Sequence, residues 1–336
     1  MREKEGRDRL FIGVDVGGTK IAAAGVDGQG NICGRVHSPT DVSGPEMTVR
    51  SIAETIEAAI AASGASRGEI TAVGLGLPGK VDPERGIGIL SVNLGWRDVP
   101  VKSMLEEELG LPCFIENDVK VAALGESRYG AGKGLRNMVY LTIGTGIAAG
   151  VIIEGKIYRG STGMAGEIGH AIIERNGPRC KCGTRGCLEA VAAGPAIAAL
   201  AISAIEAGSE TSLRDMAKAN KGLVTAEMVC QAARQGTPVA REIFEEIGSY
   251  IGLGVHMLIM LYDPELVVLG GGVTEAGDLL LNPVCRELKR LATWSYVAKE
   301  MLKPEMVRLS ALGVDVGILG AAALAEGGDG CLSALT

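Results

Sequence analysis

The sequence predicts an α/β protein built in two halves, and three observations carry that expectation. The 336 residues are more than a single hydrophobic core usually organises. Strand-like apolar runs alternate with segments of helical spacing along almost the whole chain. One pattern also occurs twice: paired apolar runs joined by a glycine-rich turn open the chain at residues 10–26 and recur at 138–153. No stretch is low-complexity or linker-like, so the two halves are expected to be joined closely, with a cleft between them.

The elements follow in order. Residues 10–16 form a buried-type apolar run, then comes Gly17-Gly18-Thr19-Lys20, then a second run at 21–26, which together read as a hairpin. A third strand is expected over 31–36, after the turn Asp27-Gly28-Gln29-Gly30. Val49, Ile52, Ile56 and Ile60 lie at helical spacing and predict a helix over 47–62. Residues 71–77 read as a strand ending at Pro78-Gly79, and 104–109 as a helix with Gly110 as its C-cap. A short strand at 113–115 leads into Glu116-Asn117-Asp118. Strands are then expected at 138–143 and 148–153, helices at 195–206, 225–235 and 238–261, and a strand at 266–269 running into Gly270-Gly271-Gly272. A last helix, at about 316–325, returns to the first half.

Composition narrows the function classes. Hydrophobic residues make up 47% of the chain and charged residues 22%, which is ordinary for a globular protein. Aromatics are only 3% against 50 glycines, so the core must be aliphatic and the turns numerous. A net charge of -7 argues against a nucleic-acid partner, which usually meets a basic face. Residues 1–9 are a charged run without an apolar core, unlike a signal peptide. The longest apolar stretch, 250–262, is too short to span a bilayer. A soluble, cytoplasmic protein with no membrane partner is expected.

The cysteines divide into two groups. Cys33, Cys113, Cys230, Cys285 and Cys331 are scattered singly, as small buried hydrophobes would be. Cys180, Cys182 and Cys187 fall within eight residues, with Gly183 and Gly186 to turn the chain and His170 upstream. Thiolates and imidazole are the ligands zinc prefers, and four of them close a tetrahedral structural site. Such a site does not need Glu167 and Glu189 on its flanks, so these carboxylates are expected to face substrate.

The glycine-rich turns suggest phosphate binding. In Asp15-Val16-Gly17-Gly18-Thr19-Lys20 a carboxylate precedes two residues without a Cβ and then a hydroxyl. Backbone N–H groups can approach phosphate oxygens closely there, and Asp15 could hold Mg²⁺ through its water shell. Thr142-Ile143-Gly144-Thr145-Gly146 is a second turn of the same kind. Neither turn has Walker A spacing or the dinucleotide fingerprint, and either one alone could be a tight turn and nothing more. At Glu116-Asn117-Asp118 a carboxylate can accept a proton from a bound hydroxyl while the neighbouring amide orients the ligand. Helix capping is the plainer alternative for Asn117, and the two are compatible.

The ordered set Asp15-x-Gly17-Gly18-Thr19-Lys20, Glu116-Asn117-Asp118, Glu167-x-Gly169-His170 and Cys180-x-Cys182-Gly183-x-x-Gly186-Cys187-x-Glu189 resembles the ROK (repressor, open reading frame, kinase) family from Leu10 to about Ala325. Its bacterial glucokinases are the nearest in pattern, and Asn93-Leu94-Gly95-Trp96-Arg97-Asp98-Val99-Pro100 looks like their sugar-contacting loop. The resemblance implies an actin-like, hexokinase-type (ribonuclease H-like) two-domain fold with ATP in the cleft. A small α/β domain over 1–118 would receive a C-terminal helix at about 312–330, and a large domain over 119–311 would carry the zinc. Carried over residue by residue, Asp118 would be the general base for a sugar 6-hydroxyl. Asn117, Glu167, His170 and Glu189 would bind sugar hydroxyls, with Asn93 and Gly79 nearby. Asp15, Gly17, Gly18, Thr19, Lys20, Thr142, Gly144, Thr145, Gly146 and Gly270 to Gly272 would serve MgATP. His170 would bind zinc through one ring nitrogen and sugar through the other, with Cys180, Cys182 and Cys187 completing the site.

The implied activity is ATP-dependent phosphorylation of glucose to glucose 6-phosphate in a homodimer or homotetramer. Alternatives are another hexose (N-acetylglucosamine, N-acetylmannosamine or fructose), polyphosphate as donor, or a non-catalytic sugar-responsive repressor. Nine residues before the first strand and an acidic charge speak against the repressor. Three positions depart from the family pattern. Lys120 replaces a small or amide residue, and a solvated helix face is the expectation for it. Ile147-Ala148-Ala149 replaces a more glycine-rich run, and His256 replaces an amide.

Overall fold

The computed structural model describes residues 9–208, 212–303 and 305–327. Most of the charged N-terminal run, Cys331 and the last three residues of the helix expected to end at 330 lie outside them. In chain order the strands are β1 (Leu10–Val16), β2 (Lys20–Asp27), β3 (Ile32–Pro39), β4 (Ile70–Leu77), β5 (Lys80–Asp82), β6 (Ile87–Ser91), β7 (Trp96–Val99), β8 (Cys113–Asn117), β9 (Met138–Ile143), β10 (Ile147–Ile153), β11 (Lys156–Ile157), β12 (Leu266–Gly270) and β13 (Val307–Leu309). The helices are α1 (Pro45–Ser63), α2 (Val101–Leu109), α3 (Asp118–Arg128), α4 (Leu188–Ala192), α5 (Gly194–Glu206), α6 (Ser212–Ala219), α7 (Ala226–Arg234), α8 (Pro238–Tyr262), α9 (Asp278–Trp294), α10 (Tyr296–Met301) and α11 (Val316–Gly327).

Two five-stranded sheets have matching layouts, β3-β2-β1-β4-β8 and β11-β10-β9-β12-β13. In the first, β1, β2 and β3 form an antiparallel meander, and β4 and β8 add in parallel. The repeated hairpin in the sequence is thus the opening pair of each sheet. By packing, the described residues divide into one unit that falls within 1–138, 150–165 and 311–336 and another within 139–149 and 166–310. Residues 118–138 and the 150–165 segment therefore group with the first unit, as does α11.

In the first unit, strand alternation separates two cores. Ile12, Val14 and Val16 of β1 pack with Val49, Ile52 and Ile56 of α1 and Leu105 of α2. Phe11 points the opposite way and packs with Ile318, Leu319 and Ala322 of α11. On that second face α11 lies very close to the sheet: a Cβ on Gly13 would fall 2.0 Å from the Ile318 carbonyl oxygen, and one on Gly74 1.8 Å from that of Ala321. Asp15 shares this face, so its carboxylate meets the first turn of α11, 2.6 Å from where a Cβ on Gly317 would sit.

Three findings differ from the sequence expectations. Residues 80–99 carry a separate three-stranded sheet, β5-β6-β7, so that Trp96–Val99 of the expected 93–100 loop form a strand and Val92 to Gly95 are the turn between β6 and β7. The 250–262 stretch is the second half of a 25-residue helix, α8, which is long and apolar enough to cross a membrane. More than half of its apolar window is buried, and Ile243, Ile247, Ile251 and Val255 lie in the core. Of the scattered cysteines among the described residues, only Cys113 is buried, and Cys33, Cys230 and Cys285 are half-buried.

Candidate active site

In the first unit the parallel strands β4 and β8 end side by side, with Leu77 opposite Asn117, so the turns that follow them meet. Asn117 caps α3: its side-chain oxygen accepts from the N–H groups of Val119 and Lys120. Its amide nitrogen donates to the Gly79 carbonyl at 3.1 Å and to Asp118 Oδ1 at 2.9 Å. Val119 N–H donates to the same Oδ1, while Oδ2 accepts from no other described residue. One carboxylate oxygen is therefore held and the other is open. Burial and the neighbouring Asp15 carboxylate push the Asp118 carboxyl up from 3.8 to about 6, against the opposing pull of the Val119 N–H and Lys120. Burial also raises Asp15, with Lys20 pulling it down.

The first glycine turn closes on Gly17 N–H donating to the Lys20 carbonyl. A Cβ on Gly18 would come 3.2 Å from the Cβ and carbonyl oxygen of Asn93, so this turn lies against the β6–β7 turn. Gly79 has φ of +98, and a Cβ there would sit 2.2 Å from the Leu90 carbonyl oxygen, which only glycine permits. Gly18, Gly79, Asn93, Asn117 and Asp118 thus form one connected group, with Thr19 and Lys20 exposed at its margin.

Lys120 is not on a solvated face. It is 4% exposed, on a helix whose residues from Lys120 to Ser127 are all buried, and its Nζ donates to the Gly163 carbonyl at 3.0 Å. Two residues before Asp118, Glu116 is also buried, and it accepts from Arg159 Nε at 2.6 Å.

The second unit holds the metal-type cluster. One ligand atom from each of His170, Cys180, Cys182 and Cys187 lies within 4.8 Å of every other. Cys180 Sγ is 3.7 Å from His170 Nδ1, and Cys182 Sγ is 3.6 Å from Cys187 Sγ. Edges of about 3.5–3.8 Å are what a tetrahedron of sulfur and nitrogen around zinc requires, so the donor set fits the ion. The Thr184 hydroxyl lies 3.1 Å from both Cys182 and Cys187, and its hydrogen bond leads the influences that hold the Cys182 thiol down at about 6. With Nδ1 turned to the sulfurs, His170 Nε2 faces Glu167, 3.9 Å away.

Glu189 is less free than the sequence suggests. Its Oε2 accepts from Ile147 N–H at 3.1 Å and lies 2.6 Å from where a Cβ on Gly146 would be, while Oε1 is 4.0 Å from Cys180 Sγ. It therefore bridges the cysteine loop and the second glycine turn. Beside that turn opens a cavity of about 1030 Å³, lined by Gly144, Thr145, Gly194, Gln231, Arg234 and Gly272 among others. Of the three consecutive glycines only Gly272 lines it. Gly270 lies under Tyr140, and Gly271 packs on Thr142 and Ile143. Sequence reasoning missed Arg159, Gly163, Thr184 and the cavity wall from α5 and α7. Only the Thr225 N-cap and the apolar spacing of α7 hinted at that wall.

The ROK family profile matches residues 11–327. The chain belongs to the ROK family. It is 37% identical to a glucokinase of Halalkalibacterium halodurans over 316 residues, covering 93% of this chain and 94% of that one. It is 38% identical to a glucokinase of Streptomyces coelicolor, covering 94% and 98%. A crystal structure of a ROK family glucokinase from Streptomyces griseus, in complex with glucose and AMPPNP, superposes with a TM-score of 0.78 at 35% identity, covering 95% of this chain and 99% of that one. The fold is accordingly the ROK, hexokinase-type α/β fold with two mixed sheets.

Proposed function

We propose that this ROK protein is an ATP-dependent glucokinase that phosphorylates the 6-hydroxyl of glucose. The observation that carries the proposal is Asp118, a carboxylate at a helix start with one oxygen held, one open, and a pKa of about 6. A base so poised is ionised at neutral pH yet basic enough to take a hydroxyl proton. In the reaction the glucose O6 forms a bond to the γ-phosphorus, and the bond between that phosphorus and the departing ADP oxygen breaks. The O6 proton passes to Asp118 Oδ2 and then to solvent.

Asn117 fixes the Asp118 rotamer, and Asn117, Asn93, Glu167, His170 and Glu189 serve the sugar hydroxyls, with Gly79 leaving room. Asp15, Gly17, Gly18, Thr19, Lys20, Thr142, Gly144, Thr145, Gly146 and Gly272 serve the nucleotide, Gly270 and Gly271 acting by packing. Mg²⁺, when bound, neutralises phosphate charge near Asp15, and Zn²⁺, when bound, closes the His170–Cys187 loop. Support for glucose comes from the glucokinases at 37–38% identity and from the relative solved with glucose and AMPPNP. A cytoplasmic homodimer or homotetramer is part of the same proposal.

Incubation with MgATP or polyphosphate and a panel of hexoses, with product read by mass spectrometry, tests it. Glucose 6-phosphate formed from MgATP is expected. Turnover with only an N-acetylated hexosamine, with fructose, or with polyphosphate alone would replace the substrate or the donor in the proposal.

A further inference from the structure

Two buried ionic groups flank the base symmetrically in sequence. Glu116, two residues before Asp118, grips Arg159 through Oε2 and holds Asn117 N–H through Oε1 at 2.8 Å. Lys120, two residues after it, reaches the Gly163 carbonyl. Both tethers end on the same short segment, which closes on itself through Ala165 N–H donating to the Arg159 carbonyl. That segment is rich in turns that need glycine, with φ of +71 at Gly160, +79 at Gly163 and +100 at Gly166. Such a backbone has many conformations open to it unless something holds it. It also leads directly into Glu167 in the chain.

A buried ammonium is a costly way to fill space. A methionine would occupy the same volume without the desolvation of a charge. The lysine therefore calls for a role that depends on its charge and its donor.

We infer that Lys120 is a positioning residue for phosphoryl transfer, pinning the Arg159–Gly163 segment to the start of α3 while presenting a fixed cation to the base. The inference rests on the kinase proposal above. The charged groups acting on Asp118 are Asp15 from β1, which opposes its ionisation, and Lys120 from α3, which favours it. Lys20 from β2 acts on Asp15 in turn. Loss of the lysine charge leaves Asp118 facing the Asp15 carboxylate without the ammonium that offsets it.

The test compares wild type with Lys120→Met and Lys120→Arg by amide hydrogen exchange and by kinetics. In Lys120→Met, amides of residues 160–166 should exchange about tenfold faster or more, as the tether is lost. Its kcat should fall roughly tenfold with a smaller change in glucose KM, and the acid limb of kcat/KM should move to higher pH. Lys120→Arg, which keeps charge and donor, should recover most of both. Unchanged exchange overturns the tether. Faster exchange with wild-type kcat and an unmoved acid limb reduces Lys120 to a structural residue and also overturns the inference. If Lys120→Met does not fold, Lys120→Gln, which keeps a donor but no charge, replaces it: a wild-type acid limb in that variant is then the overturning result. Wild-type turnover is measured first. Its absence with every hexose sinks the kinase proposal and the positioning role with it, whereas the exchange data still decide whether the tether exists.

Discussion

Replacing Asp118 with asparagine should make this protein more stable and nearly inactive at once. The carboxyl sits at about 6 rather than 3.8, so at neutral pH the fold holds an ionised group that its surroundings disfavour. For a carboxyl raised on folding, the contribution to stability is complete below the unfolded value and is lost as pH rises through the folded one. Two units correspond to about 3 kcal/mol. Because Asp118 is not fully buried, about 1–2 kcal/mol is the fair expectation for the asparagine variant at pH 7.5. Turnover should fall by about 10²–10⁴, the usual weight of general-base catalysis. In the wild type only the ionised form works, so kcat/KM should fall as pH drops through about 6. At pH 5 it should stand at about a tenth of its value at pH 7.5. The assay is ADP release with glucose and MgATP from pH 5 to 8.5, alongside thermal melts of both proteins. An Asp118→Asn variant that keeps turnover within a few-fold, or that retains the same acid limb, would refute the assignment of the base.

Three further outcomes follow from the geometry. Cys182→Ser should lose stoichiometric zinc by elemental analysis and raise KM for both glucose and ATP by about tenfold, since the loop it closes reaches both residue sets; a folded, zinc-free variant with wild-type constants would remove the bracing role. Gly79→Ala should lower stability by about 1–3 kcal/mol in urea unfolding, because φ of +98 and the Leu90 carbonyl both exclude a Cβ; an unchanged midpoint would mean that this turn relaxes freely. MgATP should slow iodoacetamide labelling of Cys230, which lines the cavity beside Gly144 and Gly272, with peptide mass spectrometry as the readout; equal labelling rates would place the nucleotide elsewhere.

The hairpins and long helices were legible in the sequence because glycine turns bound unbroken apolar runs, and Val49 to Ile60 repeat at helical spacing. The β5-β6-β7 sheet was not. Its strands are three to five residues long, and its interior depends on Trp96 and Leu94, whose burial arises from packing against α2 and β4 rather than from alternation. Helix α9 was hidden by Pro283, although Leu280, Val284 and Leu288 carry the helical stripe; the proline is buried against α8, where a Cβ on Gly248 would touch it. The site residues were found by motif, which gives identity but not partners. Lys120 looked like surface because a lysine usually is, but α3 packs on α11, β4 and β8, and the ammonium is taken up by the Gly163 carbonyl.

Glu189 changes how the cysteine loop relates to the chemistry. From the sequence it looked like a spare carboxylate beside a closed metal site. In the structure it stands two residues past Cys187, on the first turn of α4, and uses one oxygen to hold the Ile147 N–H at the exit of the second glycine turn. A Cβ on Gly146 would come 2.6 Å from that carboxylate, so Glu189 would have to shift. Any looseness in the loop must therefore reach the backbone amides of residues 144–147 as well as the His170 ring. If His170 serves the sugar and this turn the phosphates, as proposed, a zinc ion here would set the geometry of both together without touching either ligand. Under the proposed function this donor set, which has no open coordination position, would act mechanically, with Glu189 as the part that transmits it.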